Sequence, residues 1–427
     1  MRQLLTAICV CLIPAAGATA DDWPAWRGPA QNGVTRETAL PAEWSQTKNV
    51  TWKARLPGPG NSTPIVHGDR VFVTCASAKG AVRSVICFDR ATGKELWRRD
   101  TKFEGKEPTH ETNPYCSASP TTDGKIVVAW HGSAGVVAYT VDGQPLWHRD
   151  LGPFRHIWGN AASPVIHEGK VILNLGPGPE SRLLALNKET GKTAWETDLP
   201  EAKGKSDQDW KGSWSTPVPH YQSAPGGVMT SVVVLSLPGY VAGFDAMSGK
   251  EIWRCRGLSD LVYTTPVIGN GVIVAMSGYQ GPAIAMRLPA PGERGDLTDT
   301  HRLWREEKTQ QRVGSGVIAG DHFYIVNEPG IALCLDLKSG KQLWRERAAG
   351  TTWASAVLSG DRIYITDQSG ETVVFRAGPE KLEVLQRNEL GEMTRASPAV
   401  SDGQVFIRTY EHLYCVGAGE APRPKSQ

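Results

Sequence analysis

Short runs of apolar residues, separated by turns rich in glycine and aspartate, repeat along almost the whole chain. One copy opens with Ser-Thr-Pro at residues 62–64, continues through apolar runs at 65–66 and 71–73, and closes at Trp97. The runs are too short for helices and show no helical period, and Gly and Asp stand between them. The pattern therefore predicts an all-β chain built from one recurring unit.

The unit recurs often enough to predict the architecture. Its openings are spaced by 40 to 56 residues and fall at Pro64, Pro120, Pro164, Pro217, Pro266, Gly316, Ala356 and Pro398. Each copy holds three or four strand-like runs, and units of this size and spacing are typical of propeller blades. We therefore predict an eight-bladed β-propeller of four-stranded antiparallel blades.

The two ends of the repeat array complement each other. The last copy, residues 395–416, stops after three strand-like runs, and a spare run lies at residues 50–54. An N-terminal strand that joins the C-terminal blade would close the ring and leave no open sheet edge. The predicted organisation is a signal peptide at 1–20, an N-terminal arm at 21–49, the propeller at 50–417 and a tail at 418–427.

The first residues have the pattern of a secretory signal peptide. Arg2 precedes an apolar stretch at 4–13, and Ala18-Thr19-Ala20 forms a small-x-small cleavage site. The stretch is shorter than the roughly 20 apolar residues that span a bilayer, and no later window reaches that length. Ile8 and Val10 precede the two leader cysteines, which disfavours lipidation. We expect an exported protein, periplasmic or extracellular, without a membrane span.

Charge and cysteine content narrow the function classes. The chain has 46 basic and 44 acidic residues, a net charge of +2, so neither nucleic acid nor an anionic membrane is indicated as a partner. The six cysteines after the leader show no CxxC pair, no calcium-loop spacing occurs, and no metal site is predicted. Cys75 and Cys87 flank a predicted hairpin; they form either a cross-strand disulfide or two small buried thiols.

Propeller ligands usually sit where the loops before the innermost strands meet at one mouth of the channel. Read from the repeats, these positions are His110, Asn113, Tyr115, His156, Trp158, Asn160, Trp214, Tyr263, Arg312, Trp353 and Arg395. Aromatic faces suit a planar ligand and guanidinium groups suit carboxylates. His110 and His156 are the candidates for acid–base work. The alternative is that all these side chains only pack the loops and fill the channel.

A second set of positions follows a fixed spacing. Four copies place a small residue, a glycine six positions later and a tryptophan four positions after that. The glycines are Gly93, Gly191, Gly249 and Gly340, and the closing tryptophans of the repeats are Trp97, Trp147, Trp195, Trp253, Trp304 and Trp344. This spacing resembles the tryptophan-docking motif of the PQQ-like (quinoprotein) β-propellers, in which the tryptophan packs against a glycine peptide of the neighbouring blade. The start of the mature chain, residues 23–29, also resembles exported bacterial proteins with this repeat.

The resemblance implies two functions of different classes. BamB-like factors of this family are non-enzymatic assembly scaffolds, so one expectation is a monomeric scaffold that holds a protein partner or a small ligand at the channel mouth. The alternative is a PQQ-dependent alcohol or sugar dehydrogenase with PQQ and Ca²⁺ as cofactors. Those enzymes carry adjacent disulfide-bonded cysteines, which the mature chain lacks, and no catalytic set matches. We therefore assign no catalytic residue and no certain cofactor.

Overall fold

The structure, a computed structural model, describes residues 22–417 except 224 and 228. Eight sheets follow one another along the chain, each built on four antiparallel strands; in the first seven these run in chain order from the inside outward, and in the eighth the outermost strand comes from the N-terminal side. The predicted all-β, eight-bladed propeller is thereby confirmed. The predicted signal peptide at 1–20 and the tail at 418–427 lie outside the described residues.

Blades 1 to 4 occupy the first half of the ring. Blade 1 comprises strands Ile65–His67, Arg70–Ser77, Val82–Asp89 and Glu95–Lys102. Blade 2 comprises Thr121–Thr122, Ile126–Trp130, Val136–Thr140 and Pro145–Arg149. Blade 3 comprises Val165–His167, Lys170–Asn174, Arg182–Asn187 and Thr193–Asp198. Blade 4 comprises Val218–Ser223, Met229–Leu237, Tyr240–Asp245 and Glu251–Arg256, and Gly295–Asp296 adds a parallel strand to its outer edge.

Blades 5 to 8 complete the ring. Blade 5 comprises Val267–Gly269, Val272–Met276, Ala283–Arg287 and Arg302–Glu306. Blade 6 comprises Val317–Ala319, His322–Val326, Ile331–Asp336 and Gln342–Arg347. Blade 7 comprises Val357–Ser359, Arg362–Thr366, Glu371–Arg376 and Glu383–Glu389. Blade 8 comprises Ala399–Ser401, Gln404–Arg408 and His412–Val416, with Val50–Arg55 as its outermost strand.

The connections contain little regular structure. Gly212–Ser213 pairs in parallel with Leu261–Val262 at the entrances of blades 4 and 5. The described helical turns are the 3₁₀ segments Ala78–Gly80, Gly132–Ala134, Pro200–Ala202 and Pro225–Gly227 and the α-helical turn Thr298–His301. In the part of the chain that the structure describes, no helix is long and apolar enough to cross a membrane.

The position of a strand within its blade determines its pattern of apolar and polar residues. The second strands Ile126–Trp130 and Val272–Met276 are buried at every residue because neighbouring blades cover both faces. The outermost strand Thr193–Asp198 buries Trp195 and exposes most other side chains. Continuous apolar runs and alternating runs thus come from one architecture, since burial on one or two faces sets the pattern.

The ring closes by the predicted device. Val50–Arg55 pairs antiparallel with His412–Val416, with Trp52 opposite Cys415. The N-terminal strand therefore supplies the fourth strand of blade 8, and the first and last segments of the propeller are held together by backbone hydrogen bonds.

Tryptophans on the outermost strands connect seven of the eight blades to the next, since the outermost strand of blade 7 contains no tryptophan. Trp97 Nε1 donates to Val141 O at 2.9 Å, and a Cβ built on Gly143 would lie 2.7 Å from the Trp97 ring. The same contact joins Trp147 to Gly191, Trp195 to Gly249 and Trp304 to Gly340. Gly93 receives Trp52 of the closing strand, a tryptophan that the sequence analysis did not include among the docking residues. Trp344 Nε1 donates to Gly378 O, and Trp253 packs in one cluster with Ile268 and Met286 of blade 5.

The arm crosses one end of the ring, which we call the arm end. Trp23 forms an antiparallel bridge with Val66 of blade 1, and Val34–Thr35 pairs in parallel with Val357–Ser359 of blade 7. Between them Arg27 is 2 % exposed, and its two terminal nitrogens donate to the carbonyl oxygens of Asn32, Ser315, Gly316 and Ala356. The arm therefore connects blades 1, 6 and 7 through hydrogen bonds to backbone groups.

The structure decides the alternative left open for the first two cysteines. Cys75 lies opposite Ser84 and Cys87 opposite Phe72, so the two thiols are not cross-strand partners. All six cysteines of the described residues are free and buried. Burial raises the pKa of Cys75 and of Cys87 to about 12, so both stay protonated and unreactive near neutral pH.

Candidate functional site

The segments that precede the innermost strands meet at the end of the ring opposite the arm, which we call the mouth. The arm contacts the turns between first and second strands: Asp22 accepts a hydrogen bond from Gly68 N, and Glu37 accepts bonds from the backbone of Asp402 and Gly403. The segments before the first strands lie at the other end of those same strands. The topology thus brings one segment from every blade to the mouth.

A cavity of about 150 Å³ lies inside this mouth. Seven of the eleven predicted positions line it: Asn113, Trp158, Trp214, Tyr263, Arg312, Trp353 and Arg395. Trp26 of the arm also contributes to the lining and reaches the cavity from the closed side. The cavity is therefore bounded by the ring of entrance segments and by the arm.

One side of the cavity is aromatic. The Trp214 and Tyr263 rings stack with centroids 4.7 Å apart, and Trp158 lies 6.3 Å from Tyr263. The cluster continues outward, because Trp210 lies 5.8 Å from Trp158 and 5.7 Å from Tyr279. Trp210 is 53 % exposed and Tyr279 39 % exposed. We call these five residues the aromatic arc; it extends from the enclosed cavity to the solvent-facing rim.

Next to the aromatic arc two arginines flank one indole, and we call Arg312, Trp353 and Arg395 the cationic arc; Arg312 also lies 5.3 Å from the ring centroid of Tyr279. The guanidinium carbons of Arg395 and Arg312 lie 5.0 and 5.5 Å from the Trp353 ring centroid. Glu328 pairs with Arg312 at 3.2 Å and accepts a hydrogen bond from Trp353 Nε1 at 3.1 Å. Arg395 donates to Tyr410 Oη and has no carboxylate partner among the described residues.

Two polar atoms of the lining are buried without a protein partner. The Tyr263 hydroxyl and Arg395 Nε have no hydrogen-bond partner within the described residues. Burial raises the pKa of Tyr263, so its hydroxyl is neutral and able to donate. Both atoms are covered by the surrounding side chains, so they are two of the unusual buried polar groups without a partner and do not face the cavity.

The other four predicted positions lie outside the lining. His110 stacks on Trp158 with centroids 5.4 Å apart. His156 packs edge-on against Trp214 and donates from Nε2 to Asp209 O at 3.0 Å, and burial lowers its pKa. Tyr115 packs on the Arg83 guanidinium, and Asn160 O accepts a hydrogen bond from Asn113. The two histidines therefore contact aromatic residues of the lining, but neither of them lines the cavity itself.

Some mouth residues come from segments that the sequence analysis did not search. Trp210 precedes Trp214 by four residues in the same inter-blade segment, so its sequence position could have drawn attention to it. Tyr279 and Glu328 belong to turns between second and third strands of blades 5 and 6, and Trp26 belongs to the arm. Only the folded ring brings these segments to the entrance positions.

The lining does not fit PQQ with Ca²⁺. A cavity of about 150 Å³ holds roughly one benzene ring, whereas PQQ has three fused rings and three carboxylates. Ca²⁺ takes six to eight oxygen ligands, typically with carboxylates, and none of the lining residues is Asp or Glu. The amide oxygens of Asn61 and Asn113 already accept hydrogen bonds from Tyr410 and Ser117.

Outside the cavity, one cluster of possible metal-ligating atoms occurs among the described residues, formed by Glu392, Glu411 and His412. Lys53 Nζ lies 2.8 Å from Glu392 Oε1, and Tyr414 Oη donates to the same carboxylate. These hydrogen bonds and the ammonium charge hold the pKa of Glu392 at about 2, against the opposing effect of burial. The charge of the Glu392 carboxylate is thus already balanced by the Lys53 ammonium group, without a metal ion.

Known proteins resemble the chain in sequence and in fold. The family described as outer membrane protein assembly factor BamB matches residues 75–209. The BamB assembly factor of Yersinia pestis is 25 % identical over 293 residues, which cover 65 % of this chain and 64 % of that protein. A polyvinylalcohol dehydrogenase from a Pseudomonas species is 27 % identical over 197 residues, which cover 42 % of this chain and 29 % of that enzyme.

A solved structure extends the likeness over the whole ring. The crystal structure of BamB from Moraxella catarrhalis aligns over 87 % of this chain and 98 % of its own, with a TM-score of 0.59 and 16 % sequence identity. At that identity the likeness concerns the fold. Together with the docked tryptophans and the eight closed blades, these matches show that the chain is similar to the BamB assembly factors in its repeat and in its fold.

Proposed function

We propose that this protein is an exported, BamB-like scaffold that holds a component of an outer-membrane-protein assembly system at the mouth of its channel. The observation that carries the proposal is the composition of the mouth. Trp, Tyr and Arg are the residues that most often dominate binding energy at protein interfaces, and they cluster here. Trp210 and Tyr279 leave half and two fifths of their surface free, respectively, for a partner.

The position of the arm also supports a partner site at the mouth rather than at the arm end. It pairs with the innermost strands of blades 1 and 7 and fills the region between them with buried side chains. A partner can therefore approach the channel from the mouth, where the entrance segments leave a cavity. Aromatic anchors in a partly enclosed pocket, surrounded by polar groups, are the arrangement that excludes water around a binding hot spot.

The remaining sequence expectations belong to this proposal. Export depends on the predicted signal peptide at residues 1–20. The rest of the chain is divided into the predicted arm at 21–49, the ring at 50–417 and the tail at 418–427. We also expect the protein to be a monomer. The dehydrogenase alternative has weaker support, because the lining lacks the size and the carboxylates that PQQ with Ca²⁺ requires.

The test is purification of the tagged protein from the envelope of its host bacterium after mild cross-linking. We expect assembly components for outer membrane proteins to copurify with the natural chain and to be reduced about ten-fold or more by Trp210→Ala combined with Tyr279→Ala, because truncating two anchors removes several kcal/mol. Tyr221→Ala is the matched control, since Tyr221 is 52 % exposed and contacts His167 beside the arm-end turn of blade 3.

The contrary outcomes are specific. Equal recovery of the partners by the double variant and by Tyr221→Ala would place the binding surface elsewhere on the ring. Recovery of proteins unrelated to outer-membrane assembly would remove the proposed role.

A further inference from the structure

The cavity is much smaller than the mouth around it, and its size limits what can enter it. Its volume is about 150 Å³. An apolar cavity of about 150 Å³ accepts a single benzene ring, so an enclosed ligand has one ring and few further atoms. Trp214 is buried and stacked with Tyr263, which leaves rigid aromatic faces for such a ring to pack on.

The ring of blades sets the aromatic residues opposite a cation. Trp214 precedes the first strand of blade 4 and Arg395 precedes that of blade 8, so the two positions lie four blades apart in a ring of eight. A ligand ring packed against Trp214 and Tyr263 therefore lies on the side of the cavity away from Arg395. The apolar part and the polar part of the ligand are thereby assigned to different sides.

Charge at the mouth limits the ligand to one negative group. The Glu328 carboxylate lies 3.2 Å from Arg312 Nη1, so this arginine is already paired. Arg395 has no carboxylate partner among the described residues, and its Nε is buried without an acceptor. A carboxylate is the planar acceptor that a guanidinium binds best, and one carboxylate suffices to balance Arg395.

We propose that the cavity binds a free monocyclic aromatic monocarboxylate of about the size of benzoate. Its ring packs against Trp214 and Tyr263, and its carboxylate accepts hydrogen bonds from Arg395. This site goes beyond the proposed scaffold function, because it needs neither a protein partner nor a reaction.

The test is calorimetric titration of the purified mature chain with benzoate as the probe. We expect saturable binding of one molecule. Benzamide, which lacks the charge, and benzene-1,3,5-tricarboxylate, which adds two charges, should each bind about ten-fold more weakly or worse, because a hydrogen-bonded charge contributes about that factor. Equal affinity for benzoate and benzamide, or no heat with benzoate, would overturn the proposal.

Variants separate this site from general destabilisation. Arg395→Gln should weaken benzoate binding about ten-fold, and Arg55→Gln, on an exposed arginine outside the mouth, should leave it unchanged. Unchanged affinity in Arg395→Gln would contradict the assignment, and if that variant fails to fold, Arg395→Lys supplies the comparison by keeping the charge without the planar fork.

The result is independent of the scaffold test. Benzoate binding without copurifying partners would retain the small-molecule site and remove the scaffold role. Copurifying partners without benzoate binding would do the reverse.

Discussion

The two ends of the channel use the same residue types for different purposes. Arg27 of the arm is almost fully buried, and its terminal nitrogens donate to four backbone carbonyls, one in the arm and three directly before the innermost strands of blades 6 and 7. At the mouth Arg395 is only partly buried, and its Nε has no partner among the described residues. An arginine whose acceptors come from its own chain completes the fold, whereas one with unused donors is available to a ligand.

The tryptophans of the two ends show the same contrast. Trp23 at the arm end is fully buried and packs against Gly28, where a Cβ would lie 2.7 Å from its ring. Trp210 at the mouth is 53 % exposed. Burying an indole stabilises the chain itself, and leaving one exposed beside a cavity keeps that surface for association.

The histidines near the two ends respond to pH in opposite directions. At the arm end His67 hydrogen-bonds with Asp22 at 2.7 Å, and this bond raises the pKa of His67. Near the mouth, burial lowers the pKa of His131 to about 3, and neither of its ring nitrogens has a hydrogen-bond partner within the described residues. Protonation of His67 therefore strengthens its contact with Asp22, whereas protonation of the buried His131 is unfavourable.

The largest expected effect concerns the tryptophan contacts between neighbouring blades, which form the body of the ring between its two ends. Trp195→Ala removes an indole that packs against Gly249 and donates to Ala246 O of the next blade. Large aromatic truncations in a core lower the free energy of unfolding by about 3–5 kcal/mol, and we expect that loss in urea unfolding. An unchanged midpoint would contradict the docking role of Trp195.

A glycine pair separates the indole contact from backbone strain. Gly249 and Gly169 have φ values of +72° and +70°, but a Cβ on Gly249 would lie 2.4 Å from Trp195, and one on Gly169 would meet no atom within 4 Å. Gly169→Ala should cost about 1 kcal/mol through its φ alone, and Gly249→Ala clearly more. Equal costs would show that the docked ring tolerates the methyl group.

The next effect tests the closure of the arm end. Arg27→Met leaves the carbonyl oxygens of Ser315, Gly316 and Ala356 without this donor in a buried region. We expect a loss of about 3 kcal/mol in the free energy of unfolding, because buried acceptors without donors are costly. Arg55→Met, on the exposed side of the closing strand, should stay within about 0.5 kcal/mol. Similar losses in both variants would deny the arm its structural role.

An effect of intermediate size is expected from His131 near the mouth, where acid should lower the free energy of unfolding. His131 stays neutral in the folded chain down to about pH 3, while the unfolded chain takes up the proton near pH 6.5. Its contribution to stability is thus present above pH 6.5 and is lost as the pH falls toward 3, with a slope of about 1.4 kcal/mol per pH unit. His131→Phe should remove that slope from the unfolding free energy measured between pH 6 and 4. An unaltered slope would contradict the burial argument.

The smallest expected effect concerns His67, whose contribution to stability changes with pH in the opposite direction to that of His131. The raised pKa of His67 means that its bond with Asp22 stabilises the arm below pH 6.5 and loses this effect as the pH rises through the folded pKa. Asp22→Asn keeps an acceptor for Gly68 N but removes the charge. We expect it to lower the melting temperature slightly at pH 5 and not at pH 9. A larger loss at pH 9 would reverse the sign and contradict the account.

The sequence predicted the parts of the fold that local patterns control. Blade number, the truncated last copy and the closing strand at Val50–Arg55 follow from strand and turn signals that each repeat carries by itself. At the mouth, the rule of taking residues before each innermost strand identified seven lining positions, Trp214 and Arg395 among them. Their binding role is still a prediction.

The remaining residues were hidden by long-range packing. Trp26 reaches the cavity only because the arm crosses the ring, and Tyr279 reaches the mouth from a turn between strands. His156 has the residue type of a catalyst, but the fold places it behind Trp214 with its Nε2 bonded to a backbone carbonyl. No local pattern contains that information, because it depends on which loop lies next to which.

The most direct test of the contrast between the ends is site-specific photo-cross-linking from one position at each. A benzophenone amino acid replaces Trp210 at the mouth in one variant and Tyr221 near the arm end in another, residues that are 53 % and 52 % exposed. The account predicts cross-links from position 210 to an outer-membrane-assembly component, at least ten-fold above those from position 221. Equal yields from both positions, or cross-links from position 221 alone, would contradict the assignment of binding to the mouth.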